Sequence, residues 1–190
     1  MIQNEEVKSL LDQVVGNNLV HAKWLNTLSL MENSGARKIA AGEHPLYTDI
    51  STLQHASEEF RHAFYLKKQI PKTNVHIENY AFENLLNPVE SYHYLHSLDV
   101  HISKYLKEIQ GLNGRDLLKG AYILVTYAIE VRADSLYPVY ENVLREQGSK
   151  ITVRPLIFDE QGHLEEIQKQ MKEFFTDWET VSEIALQAEE

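Results

Sequence analysis

The chain has 190 residues, 43% hydrophobic and 24% charged, a composition typical of a folded globular chain. Its formal net charge of −10 repels phosphate backbones, so nucleic acid is not an expected partner. The chain contains no cysteine, which excludes disulfides, zinc–thiolate sites, iron–sulfur clusters and thiol catalysis within it. Because no apolar run is long enough to span a membrane and the first residues lack a signal-peptide pattern, we expect a cytoplasmic protein with no membrane partner.

Helix-like spacing of apolar residues predicts an all-α chain that forms a single domain over 1–190. A short lead helix should end at a break near residues 16–18, and a first main helix follows over about 18–41. Gly42 and then Pro45 should end it. A second main helix is predicted over about 49–69, with Asp49 or Ser51 capping its first turn.

The second half of the chain predicts two more main helices after a long connection. The connection covers 71–113 and should contain an extra helix over about 89–110. The third main helix is predicted over about 114–147, and Pro138 should kink or stop it because proline lacks an amide hydrogen and clashes with the preceding turn. The last main helix is predicted over about 153–176, with a short acidic helix after it.

Two segments have the pattern Glu-x-x-His, which places both side chains on one helical face. They are Glu59 with His62 and Glu160 with His163. A carboxylate and an imidazole together suit iron, manganese or zinc. A third such pair, Glu90 with His93, falls in the long connection without a partner Glu, and we interpret it as a chance occurrence on an exposed face.

Two isolated glutamates make the pattern specific. Glu32 lies mid-helix 27 residues before Glu59, and Glu130 lies mid-helix 30 residues before Glu160. Glu130 follows a stretch that is apolar around most of its circumference, where an unpaired carboxylate would cost several kcal/mol. The order Glu, Glu-x-x-His, long connection, Glu, Glu-x-x-His is the ligand set of dinuclear carboxylate bundles.

This pattern resembles the ferritin-like di-iron carboxylate superfamily over about residues 18–70 and 114–176. The resemblance implies a ferritin-like four-helix bundle with an extra helix in its crossover. It also implies two iron or manganese ions held by carboxylates and two histidines: Glu32, Glu59, His62, Glu130, Glu160 and His163. Within the superfamily, the extra helical segment is similar to the tRNA-modifying hydroxylase branch. A rubrerythrin-like identity is less complete without a cysteine-bound iron, and iron storage fits poorly.

Several neighbours of these positions are candidate outer partners of the metal ligands. His55 lies one turn before Glu59, Asp134 one turn after Glu130, and Thr126 one turn before it. A histidine at the core edge and a threonine bonded to its own helix are the plainer interpretations. Asp159 points about 100° away from Glu160, which favours an electrostatic role at the helix start. His21 lies roughly 16 Å along the helix from Glu32, too far to bind the same ions.

Four carboxylates balance the charge of two divalent ions, so the reduced site would be neutral and its burial tolerable. The leading hypothesis is an oxidase or monooxygenase that uses dioxygen on a small-molecule substrate. The alternatives are a di-manganese catalase or peroxidase acting on peroxide, a non-catalytic metal-binding or iron-oxidising stress protein, and a helical bundle without metal. Exposed aromatic side chains would be consistent with a homodimer face, namely Tyr92, Tyr94 and Tyr105.

Overall fold

The computed structural model describes residues 4–42, 46–47 and 50–189. Within these ranges the chain forms seven α-helices, two short 3₁₀ turns and no strand, which confirms the prediction of an all-helical chain. The seven helices are α1 (Asn4–Val15), α2 (Asn18–Gly42), α3 (Ile50–Gln69), α4 (Pro88–Glu108), α5 (Gly114–Glu146), α6 (Arg154–Phe174) and α7 (Trp178–Glu189). No helix in the described part of the chain is both long enough and apolar enough to cross a membrane.

The start of α2 shows how the sequence sets a boundary. The side-chain oxygen of Asn17 accepts hydrogen bonds from the backbone N–H groups of Leu19 and Val20, both at 3.1 Å. These are N–H groups of the first turn, which have no partner within the helix. At the other end α2 reaches Gly42. The predicted roles of Pro45 and Asp49 lie outside the described residues.

The third main helix, predicted over about 114–147 with a kink or stop at Pro138, is α5. It runs from Gly114 to Glu146 through Pro138, so the alternative of a stop is wrong. The Pro138 side chain is exposed, so the ring points away from the packed core. Ser51 lies inside the first turn of α3, where its hydroxyl donates a hydrogen bond to Glu166 rather than capping the helix.

The helices pack as two closely associated pairs, α2 with α3 and α5 with α6, which also touch each other. One apolar cluster joins α1 and α2 to the second half of α5, with Leu25 and Tyr140 fully buried. A second joins α4 and α7 to the first half of α5, with Leu106 and Leu124 fully buried. Glu130 lies on α5 between the residues of these two clusters, so polar groups occupy the layer between two apolar cores.

Candidate metal centre

The structure brings the six predicted ligand residues together, one or two from each of α2, α3, α5 and α6. Two sets of potential ligand atoms each lie within 4.8 Å of one another. One set belongs to Glu32, Glu59, His62 and Glu160, and the other to His55, Glu59, Glu130 and His163. Glu59 belongs to both sets, so the two sets are adjacent and share a carboxylate. No other group of this kind occurs in the described residues.

The interior of the site is short of hydrogen bonds. In the described part of the chain, six buried side-chain N or O atoms have no hydrogen-bond partner, and five belong to the predicted ligands. They are Glu59 Oε1, His62 Nδ1, Glu130 Oε2, Glu160 Oε1 and His163 Nδ1. Buried polar atoms in folded proteins are almost always paired, because leaving one unpaired costs about 1–3 kcal/mol. Five such atoms facing one another fit the requirements of bound cations.

Each of the two predicted histidine ligands turns one ring nitrogen inward and the other outward. His62 Nδ1 lies 3.1 Å from Glu160 Oε1, while its Nε2 lies 3.0 Å from Asp159 Oδ2. His163 Nδ1 lies 3.6 Å from Glu160 Oε2, while its Nε2 lies 2.7 Å from Glu58 Oε2. An outer carboxylate that accepts the second N–H fixes the ring and leaves the inner nitrogen for a metal.

The outer partners differ from those expected. Asp159 and Glu58 hold the histidines, so the helix-start role predicted for Asp159 is incomplete. Thr126 is buried and Asp134 half-buried on α5, and neither is the partner of the outer nitrogen of His62 or His163. Asp159 also pairs with Arg61 at 3.0 Å. Sequence spacing predicts only that Glu58 lies on α3 and Asp159 on α6. It does not show that each contacts a histidine of the facing helix, Glu58 with His163 and Asp159 with His62.

The carboxyl groups of the site repel one another. Burial and the nearby charge of Glu59 raise the pKa of Glu32 well above its usual value. Burial and the charge of Glu160 do the same to the pKa of Glu130. The Glu160 pKa is lowered instead, because the nearby His163 and His62 imidazoles favour the ionised carboxylate by more than burial disfavours it. Divalent cations would relieve this repulsion without needing protons.

The surrounding carboxylates raise the pKa of the two predicted histidine ligands. Burial alone would lower the pKa of His163, but its contacts with Glu160 and Glu58 raise that pKa to about 9. Contacts with Glu160 likewise raise the pKa of His62 against the effect of burial. In the metal-free protein these rings therefore share protons with the surrounding carboxylates, and a metal would have to displace those protons.

Small and aromatic residues shape the surroundings of Glu32 and Glu59. The Tyr137 hydroxyl donates a hydrogen bond to Glu32 Oε1. A Cβ added to Gly35 would lie 3.7 Å from Glu59 Oε2, an ordinary van der Waals contact, so this position lies directly beside the carboxylate. His21 is buried away from the site, with its Nε2 2.6 Å from the Tyr140 hydroxyl oxygen.

The side chains outside this region agree only partly with expectation. Glu90 and His93 are both exposed on α4, apart from the site. Of the tyrosines expected on the surface, Tyr92 is exposed, but Tyr94 and Tyr105 are half-buried against the second apolar cluster. Tyr94 also donates a hydrogen bond of 2.9 Å to Glu189. The proposed dimer face therefore loses two of its three aromatic side chains.

A cavity of about 260 Å³ lies beside the site, between α3, α5 and α6. It is lined by residues that include His55, Glu58, Tyr122, Asp159 and His163. No Lys or Arg is among the described residues that line it, and three carboxylates are. The cavity therefore gives a small neutral or cationic molecule a path to the His163 side of the site.

Comparison with known protein families, curated proteins and solved structures finds no match to this chain.

Proposed function

We propose that the chain is a ferritin-like four-helix bundle that holds a dinuclear metal centre, iron in the first place. Helices α2, α3, α5 and α6 form the bundle, and α4 lies in the crossover. Glu59, which belongs to both sets of ligand atoms, would serve both ions, whereas Glu32 and Glu160 would serve one ion and Glu130 the other. The histidines would bind through Nδ1, since Nε2 of each is held by an outer carboxylate.

The observation that carries this proposal is the set of five unpaired buried atoms in the predicted ligands. A helical bundle without metal would place apolar residues at these positions, because unpaired carboxylates in the core cost several kcal/mol. Surface residues that meet by chance would not be buried, yet Glu130 and Glu160 are each 3% exposed.

We further propose that the centre acts as an oxidase or monooxygenase on a small substrate. When bound, a di-iron pair supplies electrons and open coordination positions for dioxygen. The residues of the chain place the carboxylates and exclude bulk water. The carboxylates of Asp159 and Glu58 accept the Nε2–H groups of His62 and His163 and so fix the two rings. The cavity is below the usual size range of ligand pockets, about 300–1,000 Å³. It suits a small neutral or cationic substrate better than a polyanion such as tRNA.

Metal binding is the first test. The full chain is reconstituted anaerobically with ferrous iron, freed of excess metal and analysed. We expect about two iron atoms per chain, as in other dinuclear bundles. Glu130→Gln should lose most of the iron because one carboxylate is replaced by a neutral amide. The matched control is Glu90→Gln, which alters an exposed glutamate of the third Glu-x-x-His pair and should keep both irons. Wild type that holds well under one iron per chain would overturn the metal proposal.

The reaction class is then tested on the iron-loaded protein. If two irons bind, oxygen uptake that needs an added reductant and organic substrate supports the oxygenase. Sustained oxidation of ferrous iron alone would point to an iron-oxidising protein instead. Rapid oxygen release from peroxide by the manganese-loaded form would point to a catalase.

A further inference from the structure

His55 lies where a further metal ligand would lie, although it is outside the six-residue pattern. Its Nε2 is 3.4 Å from Glu59 Oε1 and 3.3 Å from Glu130 Oε1. His163 Nδ1 faces the same two oxygens at 3.5 Å and 3.9 Å. Two nitrogens on different helices therefore converge on the same pair of carboxylate oxygens.

These separations match the spacing between ligands of one ion. For metal–ligand bonds of about 2.1 Å, the edge of a tetrahedron of ligand atoms is about 3.4 Å. The four distances that join the nitrogens of His55 and His163 to the oxygens of Glu59 and Glu130 span 3.3–3.9 Å. Direct hydrogen bonds would be shorter, near 2.9 Å. Glu59 Oε1 in fact has no hydrogen-bond partner, although His55 is next to it.

The outer ring nitrogen of His55 also has a partner, as the outer nitrogens of His62 and His163 do, but the partner is a tyrosine hydroxyl instead of a carboxylate. His55 Nδ1 lies 3.2 Å from the Tyr122 hydroxyl oxygen, which can accept its N–H. This contact leaves Nε2 as the nitrogen that faces the carboxylates, as an outer partner does for a metal-bound histidine. The ring centroids of His55 and His163 are 4.4 Å apart, so the two imidazoles are direct neighbours.

We propose that His55 is a direct ligand of the ion bound by Glu59, Glu130 and His163. The inference rests on the proposed dinuclear centre and gives its two ions different sets of ligands. One ion has two imidazole nitrogens and two carboxylates, and the other has His62 as its single nitrogen beside Glu32, Glu59 and Glu160. The nitrogen-rich ion is also the one beside the cavity, since His55 and His163 line it. A small molecule from the cavity therefore meets this ion first.

A crystal of the iron-loaded full chain, with anomalous scattering measured at the iron edge, tests the proposal directly. We expect His55 Nε2 within about 2.2 Å of one iron, the range of imidazole–metal bonds. Anaerobic ferrous titration supplies a second readout. His55→Phe keeps a ring of similar size but cannot bind metal, and one of the two irons should bind at least tenfold more weakly.

Two further variants serve as controls. His93→Phe makes the same change at an exposed histidine on α4 and should leave both affinities unchanged. Tyr122→Phe keeps the imidazole but removes the hydroxyl beside it, and should give a smaller loss than His55→Phe.

The possible failures are distinguishable. Two irons in wild type with His55 Nε2 beyond 3 Å from both would overturn the inference and leave the dinuclear centre intact. Unchanged affinities in a folded His55→Phe variant would do the same. Wild type that binds no iron would overturn both proposals at once.

Discussion

His21 is a buried histidine whose protonation should matter for stability. Burial lowers its pKa to about 4, so the ring is neutral in the folded chain at neutral pH. In the unfolded chain the pKa returns to about 6.5, and acid then favours unfolding because the unfolded ring takes up the proton. The stabilisation is therefore present above pH 6.5 and is lost as the pH falls towards 4.

His21→Gln isolates this effect, because glutamine can still bond the Tyr140 hydroxyl but does not titrate. Between pH 6.5 and 4, the free energy of unfolding of wild type should fall relative to the variant by up to about 3 kcal/mol. Urea unfolding in the presence of chelator measures both chains. His76→Gln, at an exposed position, should follow wild type. Parallel curves for wild type and His21→Gln would contradict the prediction.

At the scale of the residue, the sequence predicts the candidate ligands better than it predicts their outer partners. Glu32 and Glu130 stand out because a carboxylate in an apolar helix centre has no inexpensive alternative role. Glu58 and Asp159 carry no such signal, because charged residues are common on helix surfaces. Their roles depend on which residue of the facing helix lies opposite, and helical periodicity within one segment does not determine that.

Pro138 shows that a helix can continue through a proline when its surroundings tolerate it. Proline removes one backbone hydrogen bond and crowds the preceding turn, at a cost of about 3 kcal/mol relative to alanine. The side chain is exposed, and α5 is packed against α1, α4, α6 and α7. Packing along the rest of α5 therefore outweighs the local penalty, which sequence propensity alone could not show.

Pro138→Ala should restore the missing backbone hydrogen bond and raise the free energy of unfolding by about 1–2 kcal/mol, after the greater freedom of the unfolded chain is deducted. Denaturant unfolding of the metal-free protein measures this. Pro155→Ala is the matched control: Pro155 lies in the first turn of α6, where the missing N–H has no helical partner, so no gain is expected. Equal gains for both variants would refute the explanation.

The proposed metal centre should lower the stability of the whole molecule when no metal is bound. The pKa of Glu130 is raised by burial and by Glu160, so the folded chain disfavours its ionised form. For such a carboxyl the penalty is small near pH 4.5 and grows as the pH rises. Glu130→Gln should therefore make the metal-free protein more stable by about 1–3 kcal/mol at pH 7, with little gain near pH 4.5.

Chemical unfolding with chelator at both pH values tests this, and Glu141→Gln provides the contrast. Glu141 accepts hydrogen bonds from the Thr152 hydroxyl, the Val153 N–H and Arg154 Nε, so its loss should destabilise the chain. Replacing a glutamate that stabilises the fold should therefore lower the free energy of unfolding, whereas replacing one that serves function should raise it. Destabilisation by Glu130→Gln at pH 7 would argue that this carboxylate is structural.

For the whole molecule, the sequence predicted the helices more completely than their assembly. The observed bounds of α2, α3, α4 and α6 lie within about two residues of those expected, because apolar spacing and boundary residues act locally. The contacts of His55 with Glu130 and His163 join three helices across 75 and 108 residues of chain. Such contacts depend on how α3, α5 and α6 are rotated against one another, which no local pattern encodes.

The distribution of the ligands along the chain also sets an order of events during synthesis. Each of the two ligand sets includes a residue of α6, either Glu160 or His163. A ribosome that has released only α2 and α3 has exposed Glu32, Glu59 and His62 but has completed neither set. If the chain holds the proposed metal centre, neither ligand set is complete until α6 has been synthesised, and metal delivery then follows as a maturation step of the finished chain.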